Sequence, residues 1–450
     1  MRIKLGIPLT LDQIAGAVHG ELISKENIII THITTDSREA YGDDLFIPIK
    51  GRTYNGADYI PDVIKKGCFA ISPLPNLGHI FLSDYSSVLL DLASFYIKNL
   101  PYILYRIGIT GSVGKTTTKE FLKILLSSEY KTHANEGNYN NEIGLPMSIL
   151  SASRDTQILL MEMGMNHRGE IGRMSKCLKP NIGIITNIGS AHIGNLGSRE
   201  AIAEAKLEIK EGMTNGKLYI PYEEKLLYNQ KNATVISIKS KEADFHLGSD
   251  KNEITIYKAS AKCFKADFNL TENHHKECLL FATAVAIDIG IPYDKLKFRI
   301  SQISRENTRQ RMILAEKYVF YTDFYNASYE SVLSSIEGLK SQNLANPKSL
   351  LLGDILELGN MSEQIHLELG RKILREDFDN LFLFGNFAKL TARGAKENGF
   401  PEENIHINEH LSHPEISADQ IRKYCNPGEI ILMKGSRAIR LERILDLFMK

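Results

Sequence analysis

The chain has 450 residues, of which 43% are hydrophobic and 24% are charged, as expected of a globular protein with a large core. Basic and acidic residues both number 54, so the zero formal net charge offers no bulk attraction for nucleic acid or an anionic membrane. No uncharged apolar run reaches about 18 residues, and the scattered cysteines lack metal-type pairing, so we expect a cytoplasmic enzyme without a membrane span.

The length suggests about three domains of roughly 150 residues each. Residues 1–98 mix short strands with polar turns and are predicted to form a small α/β domain. Residues 99–311 alternate apolar strands with amphipathic segments, which indicates a parallel sheet covered by helices. A second alternation over residues 312–450 predicts a Rossmann-like domain, so the fold class is α/β throughout. The predicted buried strands of the central domain are 103–109, 157–163 and 181–187, and the predicted strands of the last domain are 318–322, 349–352, 380–384 and 429–433.

A glycine-rich turn follows the first strand of the central domain and leads into a helical pattern. Such a turn directs backbone N–H groups and the helix dipole at one point, where a phosphate can bind. Lys115 would reach the β- and γ-phosphates, and the Thr116 hydroxyl would hold Mg²⁺. This order of residues favours ATP binding over an ordinary strand–helix turn. The predicted phosphate-loop contacts are Thr110, Gly111, Ser112, Val113, Gly114, Lys115, Thr116 and Thr117.

An asparagine-rich segment comes next along the chain. It contains Asn135, Asn138, Asn140 and Asn141, with glycines around them. One or two asparagines would be ordinary turn residues. Four within seven residues predict a surface that hydrogen-bonds a polar ligand, so Asn138, Asn140 and Asn141 are assigned to substrate binding.

Three further polar residues follow the central strands. Glu162 ends one strand, where a carboxylate beside a phosphate loop can hold Mg²⁺ or can cap the next segment. His192 follows the next strand at the same edge of the sheet. A single histidine is usually structural or a surface residue, but this position favours a functional role. Lys206 lies in a predicted helix that begins near Ser198, where a solvated surface lysine is the alternative.

Taken together, these segments resemble the Mur ligase family, and most specifically its MurF branch. The matching pieces run in family order over almost the whole chain. They are residues 35–38, the phosphate loop, 138–146, 162–170, 186–196, 205–208, 323–331, 352–359 and 434–437.

The resemblance implies an ATP-dependent ligase of peptidoglycan precursor synthesis, acting as a monomer. The terminal carboxylate of UDP-N-acetylmuramoyl-tripeptide would attack ATP to form an acyl phosphate. The amine of D-alanyl-D-alanine would then displace phosphate to form an amide. The third residue of the tripeptide, diaminopimelate or lysine, stays open.

The resemblance also implies catalytic roles for Lys115, Lys206 and His192, together with two Mg²⁺ ions. Thr116 and Glu162 would hold the first ion, and His192 would hold the second. Lys206 corresponds to a lysine that the family carbamylates with CO₂. An ammonium would repel Mg²⁺, whereas a carbamate supplies anionic oxygen ligands.

The family pattern assigns further nucleotide contacts to His274, Asp323, Asn326 and one arginine. Arg311 is preferred for that arginine because a methionine follows it, and Arg309 is the alternative. A core or surface role remains open for His274.

In the first domain, Ser37 and Arg38 resemble part of a UDP-sugar pocket, although such a pair is also ordinary at a surface. Lys434 and Ser436 could face the incoming dipeptide. Asp354 and Glu357 could lie near them or cap helices. The chain departs from the family where Cys278 replaces an asparagine and Tyr329 replaces a proline.

Two alternatives remain. A Mur-like ligase for another acid and amine is disfavoured by residues 36–38 and by the MurF-type segments. A phosphate-loop protein whose ATP turnover drives a conformational switch is disfavoured by Lys206 and His192, because a switch needs neither a carbamate nor a second metal.

Overall fold

A computed structural model describes residues 1–23, 28–51, 53–250, 252–270, 272–308, 310–324, 326–341 and 345–449. Within these residues, helices and strands form three sheets of six, nine and six strands, which confirms the predicted α/β class. The chain divides into two compact units. The first unit comprises Met1–Thr110, Glu129–Ile184 and Leu207–Lys217, and the second comprises Gly111–Ser128, Ile185–Lys206 and Leu218–Lys450. The three domains with boundaries after residues 98 and 311 stay a prediction.

The regular elements are numbered in chain order. The strands are β1 (Arg2–Thr10), β2 (Glu21–Leu22), β3 (Ile29–Thr34), β4 (Leu45–Phe46), β5 (Phe69–Ser72), β6 (Ile80–Phe81), β7 (Tyr105–Thr110), β8 (Thr132–Ala134), β9 (Ile158–Glu162), β10 (Ile182–Ile185), β11 (Lys217–Pro221), β12 (Thr234–Ser237), β13 (Phe245–Asp250), β14 (Glu253–Lys258), β15 (Ala261–Asp267), β16 (Arg311–Ala315), β17 (Tyr318–Thr322), β18 (Lys348–Gly353), β19 (Asn380–Phe384), β20 (Ile405–Asn408) and β21 (Ile430–Lys434). The α-helices are α1 (Leu11–Ala17), α2 (Ile60–Lys65), α3 (Val88–Lys98), α4 (Lys115–Leu126), α5 (Gly144–Leu150), α6 (Glu170–Leu178), α7 (Ile193–Leu196), α8 (Arg199–Leu207), α9 (Asn273–Ile289), α10 (Tyr293–Ser301), α11 (Tyr329–Ser341), α12 (Ser362–Arg371), α13 (Ala388–Glu397), α14 (Pro414–Tyr424) and α15 (Glu442–Leu445).

The first unit contains a sheet of order β1-β3-β4-β5-β6-β2, in which β3 to β6 are parallel and β1 is antiparallel to β3. The same unit holds strands in the order β10-β7-β9-β8. Here β7 pairs in parallel with β9, and β9 in parallel with β8. All five residues of β9 are buried, as its continuous apolar run predicts for a strand covered on both faces.

The second unit contains strands in the order β15-β14-β13-β12-β11. β13, β14 and β15 form an antiparallel meander in a polar, irregular stretch of sequence for which no strands were predicted. β15 alternates exposed and buried residues because only one of its faces packs against the protein.

The third sheet, of order β16-β17-β21-β18-β19-β20, also lies in the second unit. It is parallel except for β16, which runs antiparallel to β17. Alternate residues of β18 enter opposite hydrophobic clusters, Leu350 and Leu352 on one face and Leu351 on the other. A parallel sheet with helices on both faces confirms the Rossmann-like prediction, whereas the outer strands β16 and β20 were not predicted.

No helix of the described residues combines the length and the apolar character needed to cross a bilayer.

Candidate functional site

The phosphate loop joins β7 to α4, as the glycine pattern predicts. Thr110 is buried at the end of β7, and α4 begins at Lys115. Gly111 and Gly114 have φ angles of 147° and 84°, which side chains rarely adopt. A Cβ atom on Gly111 would lie 1.9 Å from Thr186 Oγ1. The loop therefore requires glycine for its backbone angles and for its contact with the segment after β10.

Asn187, which follows β10, fixes the path of the loop. Its Oδ1 accepts hydrogen bonds from Ser112 N at 3.1 Å and Val113 N at 2.9 Å. Its Nδ2 donates to Val113 O at 3.1 Å, and the Thr186 hydroxyl donates to the same oxygen at 2.6 Å. The sequence analysis missed Asn187 as an individual residue. The available signal was a polar pair directly after a buried strand.

Lys115 folds back over the phosphate loop. Its Nζ donates to Gly111 O at 2.6 Å and to Ser112 O at 3.3 Å. These bonds hold the ammonium at the loop, where it would meet bound phosphates.

Lys206 in α8 is almost completely buried, with 2% of its surface exposed. Burial lowers the pKa of its ammonium well below the ordinary range, and the charge of Lys115 lowers it further. The alternative of a solvated surface lysine is therefore wrong. A lysine in this environment is biased toward the neutral, nucleophilic amine.

His192 lies in a left-handed turn before α7, with a φ angle of 65°. Its Nδ1 is 2.6 Å from Glu357 Oε2, and this contact lowers the pKa of the Glu357 carboxyl. Gly194 N donates to Glu357 O at 3.0 Å, and a Cβ atom on Gly194 would lie 2.5 Å from Gly359 N. Glu357 thus lies against the predicted metal ligand, with its carboxylate at the Nδ1 side of the imidazole ring.

In the first unit, two asparagines surround Glu162 at the end of β9. Glu162 is 1% exposed, and its Oε1 accepts a hydrogen bond from Asn140 Nδ2 at 2.8 Å. Asn135 Nδ2 donates to Glu162 O at 2.9 Å, and Asn135 Oδ1 accepts from Glu162 N at 2.8 Å. The structure therefore brings Asn140 to the predicted metal ligand and adds Asn135, which the sequence analysis did not select for the site.

The other predicted asparagines do not contact Glu162 in this way. Asn138 is exposed. Asn141 Oδ1 accepts from Gly144 N at 2.8 Å and Ile143 N at 3.1 Å, which is the ordinary turn role of asparagine at the start of α5.

Ser37 and Arg38 lie at the surface of the first unit. The Arg38 side chain is 87% exposed, and its guanidinium donates to Asp36 at 2.8 and 2.6 Å. This fork holds the pKa of the Asp36 carboxyl well below its usual range. Lys66 Nζ donates to Ser37 O at 2.7 Å.

A cavity of ≈ 230 Å³ opens beside the phosphate loop in the second unit. Its lining is Thr116, Thr117, Glu120, Glu306, Asn307, Thr308 and Arg311. Arg311 is held there by donating to Thr308 O at 2.6 Å and Glu306 O at 3.0 Å. Arg311, the preferred arginine, thus shares one cavity with Thr116 and Thr117, and Arg309 lies outside the described residues.

Asp323 and Lys434 form a largely buried ion pair. Lys434 Nζ is 2.8 Å from Asp323 Oδ2, which also accepts a hydrogen bond from the Ser335 hydroxyl at 2.6 Å. Burial lowers the pKa of the His274 ring to about 3, and the charges of Asp323 and Lys434 also act on that pKa. One polar group therefore joins residues predicted for the nucleotide and for the dipeptide. Asn326 is exposed, and its Oδ1 accepts a hydrogen bond from Ala327 N at 2.9 Å.

Asp354 caps a helix, which was one of its two predicted roles. Its carboxylate accepts hydrogen bonds from Asn386 N at 2.7 Å and Phe387 N at 3.1 Å, just before α13. Ser436 is near, with its N donating to Asp354 O at 3.0 Å and its Oγ accepting from Leu356 N at 2.8 Å.

Replacing Asp354 with alanine should lower the free energy of unfolding by about 1–2 kcal/mol, because two helix N–H groups lose their acceptor. Asp354→Asn keeps one acceptor oxygen and should lose less. Urea unfolding followed by circular dichroism measures both changes. Equal stability of wild type and Asp354→Ala would contradict the capping role.

Cys278 lies directly against the phosphate loop. Its Sγ is 3.6 Å from Gly114 O, and a Cβ atom on Gly114 would lie 3.0 Å from that sulfur. Burial raises the pKa of the thiol to about 12, so the group packs as a neutral thiol.

Parallel strands that end in a glycine-rich phosphate loop, with Lys115 and the buried Lys206 beside it, define an ATP-binding enzyme of the phosphate-loop class. Residues 109–286 match the Mur ligase middle domain. The UDP-N-acetylmuramoyl-tripeptide–D-alanyl-D-alanine ligase of Bacillus subtilis is 31% identical, over 98% of both chains. This chain belongs to the Mur ligase family, in its MurF branch.

Solved structures agree with this assignment. MurF from Acinetobacter baumannii has a TM-score of 0.88 at 26% identity, covering 99% of this chain and 100% of that one. MurF from Thermotoga maritima, in complex with ADP, has a TM-score of 0.79 at 26% identity, covering 93% and 96%.

Proposed function

We propose that this chain is the cytoplasmic ligase that joins D-alanyl-D-alanine to UDP-N-acetylmuramoyl-tripeptide at the expense of ATP. The observation that carries the proposal is the buried Lys206, whose pKa is lowered partly by the charge of Lys115 at the phosphate loop. The full-length similarity to a ligase of that name supports the choice of substrates.

The first step joins two anions. An oxygen of the tripeptide's terminal carboxylate attacks the γ-phosphorus of ATP, and the bond to the β-phosphate oxygen breaks to release ADP. Lys115, held at the loop by Gly111 O and Ser112 O, supplies positive charge where the phosphoryl group moves. Arg311 would add a second cation from the cavity beside Thr116 and Thr117.

The second step forms the amide. The neutral amine of the dipeptide attacks the carbonyl carbon of the acyl phosphate, the tetrahedral intermediate loses phosphate, and the nitrogen loses a proton. The Lys434 ammonium, which Asp323 Oδ2 holds at 2.8 Å, would donate hydrogen bonds to the dipeptide carboxylate.

The predicted ligands of the first ion, Thr116 and Glu162, are oxygen donors of the kind that Mg²⁺ prefers. No group of three or more His, Cys, Asp or Glu side chains capable of holding a metal occurs in the described part of the chain. Mg²⁺ commonly uses only one or two carboxylates and completes its shell with phosphate oxygens and water, which suits Thr116 and the buried Glu162. When bound, the ions would neutralise charge on the phosphates.

A second ion would use His192 and a carbamate on Lys206. Glu357 at Nδ1 of His192 leaves Nε2 for a metal, an arrangement that histidine ligands commonly show. The low pKa of Lys206 favours the neutral amine, which is the form that reacts with CO₂.

Phosphate release should require ATP, the tripeptide nucleotide and D-alanyl-D-alanine together, because attack on ATP needs one substrate and turnover needs both. We expect a product whose mass equals the two substrates less one water. The assay compares tripeptides ending in diaminopimelate and in lysine, and tests several dipeptides. Phosphate release that does not depend on either the tripeptide nucleotide or the dipeptide would instead favour a conformational switch. Turnover only with another acid or amine would favour a different Mur-like ligase.

A further inference from the structure

Glu330, in the first turn of α11, contacts a turn that lies 140 residues earlier in the sequence. Its Oε1 accepts a hydrogen bond from Ser190 N at 2.8 Å, and its Oε2 accepts one from the Ser190 hydroxyl at 3.0 Å. Ser190 is 7% exposed, and both bonds are partly buried. None of the residues assigned above to the nucleotide, the metals or the substrates is Glu330 or Ser190.

The turn that contains Gly189 and Ser190 is also hydrogen-bonded to the phosphate loop. Gly189 N donates to Ser112 Oγ at 2.8 Å. A Cβ atom on Gly189 would lie 2.8 Å from Glu330 Oε2 and 3.1 Å from Ser112 Cβ. The carboxylate, the glycine and the loop serine therefore pack without room for another atom, and a shift of one moves the others.

A carboxylate this close to a phosphate loop has an electrostatic cost, because it repels a bound triphosphate. The Ser190 N–H and O–H groups direct two donors at the charge, and hydrogen bonds to a charged acceptor are stronger than neutral ones. The first turn of α11 also favours a negative charge. The carboxylate is thus stabilised by local contacts that leave it fixed in place.

We propose that Glu330 is a positioning residue for ATP: it fixes Ser112 of the phosphate loop through Ser190 and Gly189. The proposal rests on the proposed function only in taking ATP as the nucleotide. Glu330 touches no reacting atom and acts through the loop. Its removal should therefore weaken the binding of nucleotide phosphates and leave the tripeptide nucleotide unaffected.

The test is calorimetric titration with the β,γ-imido analogue of ATP. Glu330→Ala should weaken binding by about tenfold, the order expected when hydrogen bonds to a charged acceptor are lost. Glu330→Gln keeps an acceptor for Ser190 N, and its amide can donate to the Ser190 hydroxyl, so affinity should return to within about threefold of wild type. Ser190→Ala removes one bond and should have a smaller effect than Glu330→Ala.

The matched control is Glu337→Ala on the same helix, where the side chain is 72% exposed. It should bind the analogue as wild type does. Titration with the tripeptide nucleotide should give the same affinity in all variants, and thermal unfolding checks that each is folded.

Wild-type analogue affinity in folded Glu330→Ala would overturn the proposal. So would a Gln variant as weak as the Ala variant, or an equal loss of affinity for the tripeptide nucleotide. If Glu330→Ala does not fold, wild-type affinity in Ser190→Ala overturns the proposal and a weakened one supports it. The titration needs no turnover. A failed ligation assay would therefore contradict the proposed function, whereas the role of Glu330 would still be decided by the titration.

Discussion

Replacing Lys115 with alanine should lower ligation by a factor on the order of 10²–10³ while the protein stays folded. The ammonium lies 2.6 Å from Gly111 O, so its charge is positioned at the loop. Attack of a carboxylate on ATP brings negative charges together, and a positioned cation lowers the energy of that transition state. Alanine leaves the loop glycines and the start of α4 unchanged.

Phosphate release under saturating substrates measures the effect, and circular dichroism confirms the fold. Lys123→Ala, in the last turn of the same helix, is the control and should keep wild-type activity. This control removes one positive charge from α4 and leaves the charge of Lys115 at the loop. Near-wild-type turnover in folded Lys115→Ala would show that the loop does not bind reacting phosphate.

The central strands and the phosphate loop were predictable from sequence because their signals are local. β7, β9 and β10 are rich in apolar residues, and the loop has its glycines, lysine and hydroxyl within a few residues. The strand ends carry Glu162 and the segment before His192, as the rule for parallel sheets predicts.

The residues that the sequence did not reveal act through tertiary contacts. Asn187 bonds to Ser112 from 75 residues away, and Glu330 bonds to Ser190 from 140 residues away. An asparagine after a strand and a glutamate at a helix start are both common in any chain. Only the partners distinguish them from capping or surface residues.

Tertiary contacts also distinguish the two residues whose roles were left open after β18. Asp354 and Glu357 are acidic residues in one short segment. From the sequence, either residue could cap a helix or lie near the dipeptide-binding residues. In the structure Asp354 accepts from Asn386 N and Phe387 N, whereas Glu357 pairs with His192. Their difference is fixed by which chain segment packs against each carboxylate.

The meander of β13, β14 and β15 was missed for a related reason. In β15 the exposed Lys262 and Lys265 interrupt the apolar pattern and resemble loop residues. Strand preference depends on packing against cross-strand neighbours, and the neighbours of these strands are known only from the fold.

Lys206→Ala should lose most ligase activity if the lysine works as its carbamate. The side chain is 2% exposed and its pKa is lowered by burial and by Lys115, so the neutral amine needed for reaction with CO₂ is favoured. The carbamate would turn a group that repels Mg²⁺ into an anionic oxygen ligand. A surface lysine would instead change rate and stability little on replacement.

Rescue and labelling separate the carbamate from a plain buried amine. Formate or acetate should restore part of the activity of Lys206→Ala, because a small carboxylate can occupy the place of the carbamate oxygens. The matched control is Lys115→Ala, which lacks a cation and should gain nothing from either anion. Wild-type protein in ¹³C-bicarbonate should show a carbamate carbon by NMR that is missing from Lys206→Ala. Full activity in folded Lys206→Ala would remove the carbamate from the mechanism. A low activity that no carboxylate restores, without the NMR signal in wild type, would leave Lys206 as a buried structural amine.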